Sequence, residues 1–308
     1  MNVVLAAEES AGLGMLRALA GSPHRLVAVL ATPAKPGSAA VSVWNVAKDL
    51  GCPTWPASLV KDPQLGEQLR AEKVDILLNV HSLYIIHEKV LAAPKHGAFN
   101  LHPGPLPRYA GLNAVSWALF RGESTHGVTV HRIERGIDTG AIVYQSIFPI
   151  ASDDTALSLS FKCVREGVAL MLRLLEVAAS EPENIPHLPQ DPGMREYFNR
   201  DVPEGGRVCW SWPARKVTDF VRACDFYPFP SPWGHPRARL NMQEFALVKA
   251  CQTGLPAGVP PGTVGKSCGS GVNVACGDEW VMVSKLLLGG KYLGAQEFLR
   301  PGDRLAEI

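Results

Sequence analysis

Short runs of almost uninterrupted apolar residues constrain this chain most. VVLAA (3–7), LVAVLAT (26–32), VDILLNV (74–80) and GAFNLH (97–102) follow one another early in the sequence. A strand that is apolar along its whole length cannot leave one face in water, so both faces must be covered. Helical patterning falls between and after these runs: a stretch from about Leu13, VSVWNVAKDLG (41–51) ending at Gly51, and NAVSWALFRG (113–122) ending at Gly122. Apolar strands alternating with helices predict the α/β class with a doubly wound, Rossmann-like sheet. GVTVHRI (127–133) and AIVYQSIFPI (141–150) are further strands joined by a short connection, so the far edge of the sheet is expected to be mixed. A long helix is expected from about Thr155 to Ala179, with Asp153 or Asp154 as its cap.

Composition shifts after Ala179. SEPENIPHLPQDPG, rich in proline and acid, reads as a linker, and ARKVTDFVRACDF (214–226) as a short helix. From Tyr227 onward, EFALVKA, GTVGKS, GVNVAC and WVMVSKL are short strands punctuated by Gly and Pro, which predicts a small antiparallel β-barrel. The expected division is therefore 1–180 for the larger domain, 181–213 for a linker, and 214–308 for the barrel with its leading helix. A formal net charge of +1 over 308 residues gives no global field for nucleic acid or an anionic membrane. No run approaches the roughly 20 apolar residues that a membrane span needs. The N-terminus has no basic, apolar leader pattern. Seven cysteines, an odd count with no CxxC pair, fit a reduced cytoplasmic setting and suggest neither a disulfide framework nor a metal site.

Gly12 and Gly14 follow the first strand and invite a dinucleotide reading, but position 17 is Arg and the second strand ends in Ala31-Thr32 without an acid. A tight strand-to-helix turn is the better reading. His24, His87, His96, His187 and His235 read as surface or loop residues, and His131, within a strand, as a satisfied structural histidine whose loss leaves turnover nearly intact. Trp210 and Trp212 read as packing between domains. Asn100 and His102 stand apart. They are two residues apart on a strand, so they share a face. They lie at its carboxyl end, where open α/β sheets place ligands. Alone, the pair could simply cap the strand. Asp138 lies between Gly136 and Gly140 in the loop of RIERGIDTGAIV. A carboxamide, an imidazole and a carboxylate brought together can hold a carbonyl oxygen as it becomes an oxyanion. The carboxylate is then expected to orient the imidazole, raise its pKa and help take a proton from the nucleophile. No Ser or Cys stands in a matching position, so direct transfer between two bound substrates is expected over a covalent intermediate.

These residues resemble the formyltransferase family that uses 10-formyltetrahydrofolate. The matching text is GAFNLHPGPLPRYAGLNAVSWALFRGE (97–123), HGVTVHRIERGIDTGAIV (126–143) and the helix beginning at DDT. The family's Asn, His and Asp triad falls on Asn100, His102 and Asp138. Its Ser-Leu-Leu-Pro tetrad is Gly-Pro-Leu-Pro here (104–107), with the first two positions changed. The C-terminal text, from VRACDFYPFPSPW to FLRPGDRL, resembles the family's small barrel domain. The resemblance implies 10-formyltetrahydrofolate as co-substrate, with Ser82, Leu83, Tyr84, Ile85, Leu106, Pro107, Gly136 and Ile137 near the pterin, and no metal. Asn100 and His102 would both grip the formyl oxygen.

The acceptor is read from charge. In the tRNA-specific branch the loop after the second strand is rich in Arg and Lys, as a polyanion requires. Here ATPAKPGSAAVSVW (31–44) has one lysine and no arginine. The expected acceptor is a small amine: an amino-sugar nucleotide, or an amino acid or hydroxylamine of a natural-product pathway. Methionyl-tRNA, water (hydrolysis of formyltetrahydrofolate) and a non-catalytic folate-binding module are the alternatives.

Overall fold

The computed structural model describes residues 1–34 and 41–306. The acceptor-loop expectation, residues 31–44, falls in part, its lysine at position 35 included, on residues 35–40, outside the described residues. The first half of the chain supplies strands β1 (Asn2–Ala7), β2 (Arg25–Ala31), β3 (Thr54–Pro56), β4 (Ile76–Val80), β5 (Ala98–His102), β6 (Ala110–Gly111), β7 (Thr125–Arg132) and β8 (Ile142–Pro149). Seven of these form one sheet in the order β3-β2-β1-β4-β5-β7-β8, while β6 pairs with β9 (Tyr197–Phe198). β1 runs parallel to β2 and β4, and β4 parallel to β5; β7 is antiparallel to β5. The sheet is thus doubly wound with a mixed edge. Val3 through Ala7 are fully buried, as an apolar strand between two helix layers must be.

The helices are α1 (Glu9–Ala20), α2 (Val43–Asp49), α3 (Pro63–Ala71), α4 (Glu88–Leu91), α5 (Ala114–Phe120) and α6 (Ala156–Ser180). Neither β3 nor α3 is apparent from the apolar pattern. α3 buries only Leu65, Gly66 and Leu69, and it forms through its start: Asp62 accepts the Gln64 N–H at 2.9 Å, and Pro63 occupies the first helical turn. The start of α6 also differs from expectation. Thr155 and Ser158 cap it reciprocally, side chain to backbone N–H, at 3.3 and 3.0 Å. Asp154 joins this start, accepting from the Ser158 hydroxyl of the first turn at 2.8 Å and from the Ala151 N–H of the preceding turn at 2.7 Å. Gly12 serves packing: a Cβ there would stand 2.9 Å from the Ala7 Cβ.

The chain divides into two compact units. The first comprises Met1–Gly111, His126–Phe148 and Phe161–Tyr197; the second comprises Leu112–Thr125, Pro149–Ser160 and Phe198 onward. The second unit contains α7 (Ala214–Ala223), β10 (Arg237–Leu240), β11 (Gln243–Pro256), β12 (Val264–Cys268), β13 (Gly271–Ala275), β14 (Glu279–Leu288), β15 (Lys291–Gly294), α8 (Ala295–Phe298) and β16 (Leu305–Ala306). Its sheet runs β12-β13-β14-β11-β10-β16, with β15 on β14. The two ends meet: the Val264 N–H donates to the Asp303 carbonyl at 2.9 Å and the Leu305 N–H to the Gly262 carbonyl at 2.8 Å, which closes the sheet on itself. Trp210 is fully buried in this unit's core, whereas Trp212 is half-buried, packing against that core on one side and toward Phe120 and Phe220, with ring centroids 6.2 and 6.3 Å away, on the other.

Candidate active site

Three polar side chains form a row across the otherwise apolar sheet. In the β4–β5 register Asn79 is opposite Asn100, and in the β5–β7 register Asn100 is opposite His131. Directly opposed residues share a face, so the three side chains meet. Asn79 Nδ2 donates to Asn100 Oδ1 at 2.8 Å, and Asn100 Nδ2 lies 3.0 Å from His131 Nε2. His131 Nδ1 lies 2.8 Å from the Arg132 carbonyl oxygen, which can only accept. Nδ1 therefore carries a proton, and in the tautomer this fixes Nε2 is the ring atom that accepts from Asn100. His131 is buried and satisfied, as expected, but it also touches the site. Its loss is therefore expected to reach Asn100, contrary to the reading of a bystander. Only the strand register, which the sequence does not display, could have revealed this.

Asp138 joins the row from the loop between β7 and β8. Its backbone is left-handed (φ 54°), and the loop is held from outside by Gln190 Nε2, which donates to the carbonyls of Asp138 (2.9 Å) and Gly140 (2.7 Å). Asp138 Oδ1 stands 3.4 Å from both Asn100 Nδ2 and His131 Nε2. Oδ2 accepts the Gly111 N–H at 2.8 Å and faces His102 Nδ1 at 3.4 Å. Burial alone would raise the Asp138 pKa. The charge that His102 and His131 carry when protonated, together with the Gly111 amide, outweighs burial and holds the carboxyl well below the usual carboxylate range.

His102, 3% exposed, is oriented by the loop that follows β5. Its Nε2–H donates to the Tyr109 carbonyl at 2.7 Å, so this proton is not aimed at a substrate oxygen. Burial pushes the imidazole below its ordinary value; Asp138 and the Tyr109 carbonyl pull the other way without offsetting it. The expected rise in the His102 pKa is thus reversed, because desolvation of the charged ring exceeds the attraction of the carboxylate. The neutral ring turns the Nδ1 lone pair toward Asp138, and this pair of acceptors can take up one proton between them.

The loop of residues 103–111 is pinned by side chains that the sequence pattern did not single out. Thr129 Oγ1–H donates to the Gly104 carbonyl at 2.7 Å and accepts the Leu106 N–H at 3.2 Å, while Gln145 Nε2 donates to the Leu106 carbonyl at 2.9 Å. Their signal is a polar residue in each of two apolar strands. A Cβ on Gly104 would lie 2.8 Å from His102 Nε2 and 3.0 Å from the Tyr109 carbonyl oxygen. Gly104→Ala is therefore expected to displace the ring and lower turnover on the order of 100-fold, the scale of a 1 Å misplacement. Steady-state rates at saturating substrate, with a melting curve as control, check this.

The remaining expected site residues all fall on loops of the first unit. After β4, Leu83 and Ile85 project outward, 81% and 78% exposed, and Ser82 Oγ is buried without a partner among the described residues. Tyr84 instead packs inward, with Lys61 Nζ 4.5 Å from its ring centroid. Leu106 is buried with Ala110 and Ile142, so its side chain supports the loop from beneath, whereas Pro107 is half-buried. Gly136 and Ile137 are exposed in the Asp138 loop. No described helix is long and apolar enough to cross a membrane.

A carboxamide, an imidazole and a carboxylate gathered at one end of a doubly wound sheet have the chemistry to act on a carbonyl group. Residues 7–175 match the family model for formyl transferase, and residues 202–301 that for the formyl transferase C-terminal domain. The chain belongs to the formyl transferase family and is an N-formyltransferase. It is 32% identical over 302 residues to methionyl-tRNA formyltransferase of Anaeromyxobacter dehalogenans (strain 2CP-C), covering 94% of this chain and 93% of the relative. It is 29% identical over 308 residues to methionyl-tRNA formyltransferase of Thiobacillus denitrificans, covering 97% and 96%. Among solved structures, the N-formyltransferase from Helicobacter canadensis, in complex with folinic acid and dTDP-3-aminofucose, aligns with TM-score 0.70 at 20% identity, over 91% of this chain and 98% of that one. Methionyl-tRNA formyltransferase from Clostridium thermocellum aligns with TM-score 0.58 at 15% identity, over 82% and 94%. At these identities the structures speak for the fold.

Proposed function

We infer that this enzyme moves the formyl group of 10-formyltetrahydrofolate onto the amine of a small acceptor, an amino-sugar nucleotide or an amino acid or hydroxylamine of a natural-product pathway. Asn100, His102 and Asp138 are the catalytic residues of this reading. The observation that carries it is the paired geometry at β5: Asn100 Nδ2, which faces His131 Nε2 at 3.0 Å and donates to Asp138 Oδ1 at 3.4 Å, the longer bond being the one an oxyanion would replace, beside the proton site formed by His102 Nδ1 and Asp138 Oδ2, 3.4 Å apart. The acceptor nitrogen attacks the formyl carbon and the C=O π pair moves onto oxygen, where Asn100 stabilises it. The acceptor's proton passes to His102 Nδ1, and the resulting imidazolium is held by the ionised Asp138. Collapse of the intermediate breaks the bond from the formyl carbon to the folate nitrogen, which takes the proton back. The exposed apolar side chains Leu83, Ile85 and Ile137, with the backbone of Ser82, Pro107 and Gly136, supply a surface for the pterin.

In this reading the first unit performs the chemistry, with Gln190 from the expected linker holding the Asp138 loop, and residues from about 227 onward bind or orient the acceptor or stabilise the protein. The small-amine assignment rests on charge: one lysine and no arginine in residues 31–44, and a net charge of +1. The folinic acid and amino-sugar nucleotide of the Helicobacter structure are consistent with it. A second reading, methionyl-tRNA as acceptor, is favoured by the sequence relatives. A panel assay separates them. The protein with 10-formyltetrahydrofolate is offered amino-sugar nucleotides, hydroxyornithine, methionyl-tRNA, or water alone. The expected result is tetrahydrofolate release accelerated by a small amine; acceleration by methionyl-tRNA alone overturns the assignment, and release unaffected by any acceptor points to hydrolysis.

A further inference from the structure

The Asn100 carboxamide has two orientations of nearly equal shape, and only one presents an N–H to an oxyanion. The row across β4, β5 and β7 fixes which one occurs. Its polarity starts at the Arg132 carbonyl, a group that cannot reverse: it takes the His131 Nδ1 proton, Nε2 then needs a donor, and Asn100 Nδ2 supplies it at 3.0 Å. Asn100 Oδ1 consequently points toward β4, where a donor must meet it. Asn79 Nδ2 does so at 2.8 Å. On the far side of Asn79 the row ends at Ala6, which offers no polar side chain, and Asn79 Oδ1 is buried without a partner among the described residues. Asn79 therefore places a polar atom in the sheet at a cost, and its single side-chain hydrogen bond goes to Asn100.

We propose that Asn79 is a positioning residue that, together with His131, locks the Asn100 carboxamide with Nδ2 on the side of His131 and Asp138, so that the N–H donated to Asp138 Oδ1 at 3.4 Å is the one that the reacting carbonyl oxygen takes over. Its consequence for turnover rests on the proposed formyl transfer; the orientation of the amide does not.

Two substitutions of similar size separate this role from simple packing. In Asn79→Asp the protonated carboxyl still donates to Asn100 Oδ1, whereas the ionised form opposes it with an acceptor and favours the reversed carboxamide. The ratio of its kcat to that of the parent is expected to fall at least tenfold as pH rises through the pKa of the new carboxyl, which burial places above the ordinary carboxylate range. Asn79→Leu, which titrates nothing, is expected to give a reduced ratio that is flat with pH. KM for the folate should stay within about twofold in both, since the pterin surface is elsewhere. The second readout is independent of turnover: cross-relaxation between the Asn100 side-chain amide protons and the His131 ring Hε1 proton, measured by NMR on the whole protein. The cross-peak should be present in the parent and in Asn79→Asp at low pH, and absent from Asn79→Asp at high pH. Its persistence in Asn79→Asp at high pH overturns the proposal, as does a kcat ratio for Asn79→Asp that does not change with pH. A parent that transfers no formyl group, paired with a variant whose cross-peak still switches with pH, would sink the functional reading and leave the role of Asn79 standing.

Discussion

Asp138→Asn is expected to lower turnover by at least 100-fold, within the range for loss of a positioned acid–base group, while the fold survives. The side chain keeps its shape but must place an NH2 on one of two oxygens that now both accept. At the Oδ2 position the NH2 opposes the Gly111 N–H, which Oδ2 accepts at 2.8 Å. At the Oδ1 position it competes with Asn100 for His131 Nε2, which stands 3.4 Å from Oδ1. Either way the charge that holds a protonated His102 is gone. His102→Ala is expected to be as damaging, and the double variant scarcely worse than either single one, because the two groups act as one proton site. The pH profile carries a sign. The folded His102 pKa is lowered, so the parent's ring stays neutral, and turnover holds, until pH falls below the ordinary histidine value of about 6.5. Asp138 acts to raise that pKa, so in Asp138→Asn the remaining activity should have its acid limb at still lower pH. Rates at saturating substrate across pH 5–8 read both effects. Retention of more than about a tenth of parental turnover, a loss under ~1.4 kcal/mol, contradicts the role given to Asp138.

Asn100→Ala should cost on the order of 100- to 1000-fold in kcat, the scale for removing one oxyanion donor. The loss is expected to fall on kcat, with folate affinity preserved, since the N–H acts on charge that develops only in the transition state. Asn100→Asp is the sharper variant. It opposes the oxyanion with an acceptor and also faces Asp138 Oδ1, which lies 3.4 Å from the present Nδ2. It should be worse than Asn100→Ala, although it is the smaller change in shape. Comparable rates for the two would mean that Asn100 only fills space. Melting curves within a few degrees of the parent are the control for both.

The meeting of Asn100, His102 and Asp138 was legible because they sit in short, chemically unusual contexts: two polar residues ending an apolar strand, and an acid between glycines. Strand periodicity alone places Asn100 and His102 on one face. Which residues stand across from them was not legible. Asn79 and His131 become neighbours of Asn100 only through the β4–β5 and β5–β7 registers, and register is a property of paired strands rather than of either strand alone. The direction of the His102 shift was missed for a related reason. An adjacent carboxylate can be guessed from the motif, but the burial that outweighs it comes from the folded loop of residues 103–111. The same limit explains α3, whose capping and proline start matter more than its weak apolar stripe. It also explains Trp210, whose position beside a proline-rich stretch suggested a domain boundary while its side chain fills the barrel core.

In the proposed reaction, formyl transfer takes place at Asn100, His102 and Asp138. A crystal structure of the protein with a stable formylated folate tests it most directly. The formyl oxygen is expected at hydrogen-bonding distance, about 3 Å, from Asn100 Nδ2, with the pterin against Leu83, Ile85 and Ile137. A folate seated at Gly12 and Gly14, or anywhere that leaves Asn100 Nδ2 out of reach of the formyl oxygen, would contradict it.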